Sequence, residues 1–229
     1  MNSTTQTTNL AGNLERLRKL DCCAISDALD HLGLGGQVTS LSQRSGTGRI
    51  CGVAITVRLG TGDPPPGPPR HLGTTAIGLA GPDNIIVVEQ RTGVEAGCWG
   101  GLLSLGAKQR GVAGVIADGP VRDIDEAIAY HFPIFTNRTT SLTARGRVVE
   151  KETNGPVTID AVEVLPGDYV AADRSACIFI AAGQIEKVLE TAEEIVAREA
   201  AMAKAILSGT PIAKVMGGDY EHMLEAGKK

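Results

Sequence analysis

Aromatic side chains are scarce in this chain, with one Trp, three Tyr and three Phe in 229 residues. Rings therefore cannot dominate the core. It has to rest on Val, Ile, Leu and Ala, as a sheet covered by helices does. The five cysteines, Cys22, Cys23, Cys51, Cys98 and Cys177, contain no CxxC pair. Their number is odd and two are adjacent, which argues against a disulfide framework or a zinc site and for reduced thiols in a cytoplasmic protein. No stretch approaches the roughly 18 consecutive apolar residues of a membrane span, and the polar opening MNSTTQTTNLAGN has no apolar signal segment. The basic residues form no stripe and the net charge is −4, so neither nucleic acid nor membrane is expected as a partner. A mild negative charge does not bar small anions, because one local Arg can dominate a pocket.

The hydrophobic fraction of 42% suits one domain across residues 1–229, with residues 1–12 as a disordered arm. Apolar residues at helical spacing predict a helix over 13–32, with Asp21 or Ser26 available to cap a second, shorter one. A Gly-rich connection follows. β-Branched runs predict strands at 50–59 and 84–90. Between them, five prolines in residues 61–70 make a stiff exposed loop. Further strands are expected at 111–119, 132–135 and 176–182, short β segments within 140–170, and helices at 71–80, 100–110, 124–131 and 185–207, with one more short helix in the last 20 residues. Strands alternate with helices early and a β-rich stretch comes late. That order predicts a layered α/β domain whose sheet is mixed rather than purely parallel.

The stretch 97–126, GCWGGLLSLGAKQRGVAGVIADGPVRDIDE, holds two features with chemical content. Gly100 and Gly101 open a helix. Glycines let a ligand approach the backbone, and free N–H groups at a helix start attract anions. The same pair also reads as a tight turn before a helix. Arg122 and Asp123 follow a strand, at the place where α/β sheets put ligands. Arg binds carboxylates bidentately, and Asp is a hard oxygen ligand for Mg²⁺ or Mn²⁺. That pair also reads as a surface arginine and a helix cap. The four His residues, His31, His71, His131 and His222, show no metal-ligand spacing and read as structural or surface groups, although His71 is placed to line a pocket mouth after the proline loop. Trp99 and Cys98 read as packing, Ser26-Asp27 as a helix cap and Asp173-Arg174 as a structural pair after a turn.

WGGLL at 99–103, AKQRGVAGVIADGPVRD at 107–123, GDYVAAD at 167–173 and SDALD at 26–30 resemble, in order and spacing, the RraA-like family over roughly residues 14–210. The family includes 4-hydroxy-4-methyl-2-oxoglutarate aldolases and oxaloacetate decarboxylases. The resemblance implies an α/β/α sandwich with a mixed sheet, of the swivelling β/β/α type. It implies a metal-dependent lyase that cleaves the C3–C4 bond of small 2-oxo acids to give pyruvate, with Mg²⁺ or Mn²⁺ as cofactor. Arg122 would hold the substrate carboxylate, together with the backbone of Gly100, Gly101, Leu102 and Leu103. Asp123 would ligate the metal directly. Glu199, or Glu194 as the alternative, would reach in from a neighbouring subunit of a homotrimer or homohexamer and hold metal-bound water.

One departure stands out. Many family aldolases carry Asp or Glu directly before the LL pair, and this chain has Gly101 there. Glu95 and Asp118 are the candidates for a compensating carboxylate. The loss would favour decarboxylation, which needs no base to start it, over retro-aldol cleavage. Other readings are a regulator that binds a ribonuclease through its outer surface, a methyltransferase and a non-catalytic α/β module. The methyltransferase lacks support, because no glycine-rich first strand-turn-helix is evident.

Overall fold

The computed structural model describes residues 2–217. Two short strands, β1 (Gln37–Val38) and β2 (Ser42–Ser45), precede β3 (Ile50–Gly60), the β-branched run expected at this place. β4 (Asn84–Glu89), β5 (Gly114–Val121) and β6 (Ile134–Thr139) follow. Then come β7 (Val149–Thr153), β8 (Val157–Ile159), β9 (Val162–Val164), β10 (Tyr169–Ala172) and β11 (Cys177–Ile180). The helices are α1 (Asn2–Leu17), α2 (Cys22–Leu32), α3 (Thr74–Leu79), α4 (Gly101–Gln109), α5 (Ile124–Ala129), α6 (Ile185–Leu207) and α7 (Ile212–Val215). α7 falls in the expected last helix; the stretch beyond 217, with His222, lies outside the described residues.

Nine strands make one curled mixed sheet in the order β1-β11-β10-β3-β4-β5-β6-β2, with β7 also paired to β3. β3 through β6 run parallel, and β10, β11, β1, β2 and β7 pair antiparallel. Alternation along β3 shows how the layers divide, since successive side chains point to opposite faces. Cys51 and Val53 pack with α1, α2 and α6, while Ile55 and Val57 pack with α3, α4 and α5. The opposite face, with Ile50 and Ala54, meets Ile85, Val87 and Ile116 and is closed by Val157, Ile159 and Val164 of the antiparallel β8–β9 pair. The core is aliphatic, as the scarcity of rings requires; Trp99, Phe132 and Phe135 are its large fully buried aromatics.

Three boundaries differ from expectation for physical reasons. α1 takes in most of the stretch read as an arm. Buried Leu14 and Leu17 anchor it, and no proline interrupts the residues before them. β1 and β2 lie in the segment read as a connection. They are two and four residues long, too short for any periodicity, and their pairing is dictated by β11 and β6. β6 starts after Pro133 rather than at Phe132, because a proline cannot donate to the ladder.

Candidate functional site

Four parallel strands deliver the chain to one edge of the sheet, and the segments after them line a single cavity of about 250 Å³. His71 and Leu72 come after β3, and Gly97, Trp99 and Gly100 after β4. Arg122 and Asp123 come after β5, and Thr143, Ala144 and Arg145 after β6. The opening residues of α4, Gly101, Leu102 and Leu103, complete the wall. Carboxyl ends of parallel strands are where open α/β sheets bind ligands. The cavity holds Gly100, Gly101, Leu102, Leu103, Arg122 and Asp123 together, six positions that the sequence names for binding or chemistry. His71 also lines it, as its place after the proline loop suggests.

The segment before α4 is anchored to β5 and beyond it. Cys98 N donates to Pro120 O at 2.8 Å, Arg122 N donates to Trp99 O at 3.0 Å, and Gly97 N donates to Leu142 O at 2.8 Å. Trp99 is buried, and its Nε1 donates to Ser104 Oγ, which in turn donates to Gly100 O, both at 3.0 Å. This chain fixes the start of α4. Gly100 is extended there and gives no side-chain cap. The first N–H groups of a helix point out of its amino end without an internal partner, and here that end opens on the cavity.

Asp123 sits in the left-handed region, at φ 58° and ψ 40°. Asp tolerates that conformation better than most residues, yet it costs about 1 kcal/mol or more. Asp123 occupies the cap position of α5, but its carboxylate accepts no N–H from that helix. It accepts from Gly101 N at 3.1 Å, and from Arg122 Nε at 3.1 Å to each carboxylate oxygen. The carboxylate is therefore turned into the cavity, and the helix-cap reading of the sequence is set aside. Among the described residues the terminal nitrogens of Arg122 have no protein partner, so the face that binds carboxylates bidentately stays available.

The expected stand-ins for a carboxylate at 101 lie elsewhere. Asp118 points to the opposite face of β5 from Ala117 and Val115. There it accepts from Asn137 Nδ2 and Asp160 N, both at 2.8 Å, with Arg91 Nε at 3.7 Å. Glu95 faces Arg138 at 3.8 Å and does not line the cavity. Glu199 and Glu194 are exposed on the outer half of α6, away from this cavity of their own chain. Thr143, Ala144 and Arg145 were not singled out by the sequence reading. They sit in an irregular stretch without a motif, and only the rule that every parallel strand ends at the site points to them.

A second cavity of about 430 Å³ adjoins the first and shares His71, Leu72, Thr143, Ala144 and Arg145 with it. Its outer wall is the proline loop, Pro64, Pro65, Pro66, Pro68 and Pro69, with Arg70. Among the described residues no group of three or more His, Cys, Asp or Glu is placed to hold a metal ion, and no helix is long and apolar enough to cross a membrane.

Comparison with known proteins gives a consistent answer. The RraA-like family profile (Aldolase/RraA) matches residues 22–179. A Halalkalibacterium halodurans protein, provisionally named 4-hydroxy-4-methyl-2-oxoglutarate aldolase, is 30% identical over 193 residues, which is 84% of this chain and 88% of that protein. Protein DlpA of Legionella pneumophila is 26% identical over 199 residues, 87% of this chain; the chain spans only 32% of that longer relative. The crystal structure of an uncharacterised protein from Pseudomonas syringae pv. tomato superposes with a TM-score of 0.80 at 25% identity, covering 90% of this chain and 98% of that one.

Proposed function

From the fact that this chain belongs to the RraA-like family, we propose that it is a divalent-metal-dependent lyase that cleaves the C3–C4 bond of small 2-oxo acids to give pyruvate. The reaction is retro-aldol cleavage of 4-hydroxy-4-methyl-2-oxoglutarate, decarboxylation of oxaloacetate, or both. The observation that carries this reading is the convergence, on one cavity, of Arg122, Asp123 and the amino end of α4.

The donor set fits the metal. Asp123 offers carboxylate oxygens turned into the cavity. Mg²⁺ and Mn²⁺ favour oxygen and are commonly held by one or two carboxylates, the rest of their shell being water and substrate. Such a cation would supply Lewis-acid polarisation of the 2-oxo group. Arg122 binds the C1 carboxylate through its free guanidinium edge, and the N–H groups of Leu102 and Leu103 share that charge. Arg122 also sits where negative charge grows on the 2-oxo oxygen as the C3–C4 bond breaks, so its stabilisation increases along the reaction. Decarboxylation needs nothing more to begin. Retro-aldol cleavage needs a group to take the C4 hydroxyl proton, and position 101 provides none, so decarboxylation is the better retained of the two.

We place the sites in a homotrimer or homohexamer in the cytoplasm. The cysteines are all free, which suits a reducing compartment. Leu102 is 83% exposed beside the cavity and Leu207 is 88% exposed on the outer half of α6. Both leave apolar surface for another copy, through which Glu199 reaches a neighbouring cavity. The test compares pyruvate release from both substrates by wild type and Arg122→Ala. A rise in KM together with a fall in kcat, at least about tenfold in kcat/KM, supports the assignment. Unchanged kinetics in the variant, or no pyruvate from the wild type, refutes it; the second result leaves the ribonuclease-regulator reading standing.

A further inference from the structure

We propose that His71 is the general base of this site: its Nε2 takes the C4 hydroxyl proton that position 101 has no carboxylate to take. The inference rests on the lyase reading above and supplies a catalytic residue for its retro-aldol branch. It starts from the hydrogen bond of the ring. His71 Nδ1 lies 2.9 Å from Leu72 O. A carbonyl oxygen only accepts, so Nδ1 is the donor and carries the ring proton. In the neutral imidazole the lone pair is then on Nε2. Among the described residues Nε2 has no partner. A free accepting atom on a ring of fixed tautomer is what proton abstraction needs.

The backbone under the ring is tied down. Thr74 Oγ1 donates to His71 O, and Gly73 N donates to Glu150 Oε2, both at 2.6 Å. Leu72 is buried. Gly73 stands in the left-handed region at φ 77°, and a Cβ there would lie 3.0 Å from Trp99 Cζ3. This turn thus packs on the same indole that fixes the start of α4. His71 lines both cavities, so it stands where one adjoins the other. With C1 held at Arg122, C4 is the far end of the substrate, and the adjoining cavity gives that end room. The other charged residues that line these walls are Arg122 and Asp123 in the first cavity, Arg70 and Glu150 in the second, and Arg145 in both. Asp123 is engaged by Gly101 N and Arg122, and Glu150 by Gly73 N and Thr153. Arginines keep their protons. His71 is the group left to accept one.

As Nε2 takes the hydroxyl proton, the O–H electron pair forms the carbonyl of the departing fragment, and the C3–C4 pair passes to the 2-oxo group as the enolate. The proton on Nε2 then goes to C3, which completes the methyl group of pyruvate and returns the imidazole to its neutral form. Oxaloacetate has no hydroxyl proton to remove, so its decarboxylation skips this step and stays the faster reaction.

The test compares kcat on the two substrates for wild type, His71→Asn and His71→Ala, beside NMR of the ring nitrogens of isotope-labelled histidine in the metal-free protein. Asn keeps an N–H near the place of Nδ1 and has no basic atom, and thermal unfolding checks that both variants keep the fold. The neutral ring of His71 should carry its proton on Nδ1. Both variants should lose at least about a hundredfold in retro-aldol kcat and far less in decarboxylation, and free imidazole should restore part of the loss in His71→Ala. A proton on Nε2 in the neutral ring, an unchanged retro-aldol kcat, an equal fall in both reactions, or a wild type that decarboxylates oxaloacetate but cleaves no aldol overturns this inference and leaves the lyase reading intact. A wild type that gives no pyruvate from either substrate overturns that reading, and this inference with it.

Discussion

Cys98 lies wholly buried beneath the start of α4, and burial pushes its thiol up to about 12. Burial likewise raises Cys51 to about 11, against the pull of Arg49 and Arg18, and drives Cys22 and Cys177 higher still. Only a thiolate attacks a disulfide reagent at a useful rate. Cys23 alone of the five is exposed. Titration of the native protein with a chromogenic disulfide near pH 8 should therefore show one fast thiol, lost in Cys23→Ser, and five after unfolding. Two or more fast thiols would contradict the packing described. The sequence carries the free state of these cysteines in its odd count and missing CxxC pairs, but not which of them is exposed. Arg122 and Asp123 were legible as residue types in a ligand-binding place, not as a working pair. A surface arginine and a helix cap use the same letters. The distinction lies in the left-handed backbone of Asp123 and in where its carboxylate points, which depend on contacts with Gly101 distant in the chain.

At the level of elements, α2 shows how one carboxylate joins three segments. Asp21 caps the helix through Ala24 N at 2.8 Å. Asp173, in the turn between β10 and β11, accepts Cys22 N at 3.0 Å, Ser175 N at 2.8 Å and Ala176 N at 3.4 Å. Partial burial pulls its carboxyl up, and the N–H donors of Cys22, Ser175 and Ala176 outweigh that and hold it below the usual range. A carboxyl lowered in the folded state adds stability above its unfolded value of about 4 and loses it as the pH falls through the lower folded value. The urea midpoint of the wild type should thus drop with acidification below about pH 4, and Asp173→Asn should be less stable at neutral pH with a shallower acid slope. An identical slope would contradict the assignment. The turn was read from sequence as a structural pair around Asp173 and Arg174; the tie to α2 is a long-range contact that no local pattern carries. Long, strongly patterned elements were the legible ones. β3, β4 and α6 start where the β-branched runs and helical period say, whereas β1 and β2 exist only because β11 and β6 offer edges.

For the whole molecule, the parallel order β3-β4-β5-β6 brings four connecting segments to one edge of the sheet. Chemistry read from residues 97–126 therefore acquires His71, Thr143 and Arg145 as neighbours. Composition and element order foretold the mixed sheet, but nothing in the chain foretold that β7 and the β8–β9 pair fold onto its parallel strands. The exposed outer half of α6 is the other large-scale feature. After Ala192 it buries no residue fully, and Glu199 is exposed on it. The central claim is that Asp123 makes this cavity a metal-dependent source of pyruvate. Its most direct test is pyruvate release from oxaloacetate and from 4-hydroxy-4-methyl-2-oxoglutarate, with Mg²⁺ and with excess chelator, for wild type and Asp123→Ala. The account predicts release by the wild type that chelator abolishes, that Asp123→Ala lowers by at least about a hundredfold, and that is faster on oxaloacetate. Release that survives both chelator and Asp123→Ala, or none above the metal-only background on either substrate, would contradict it.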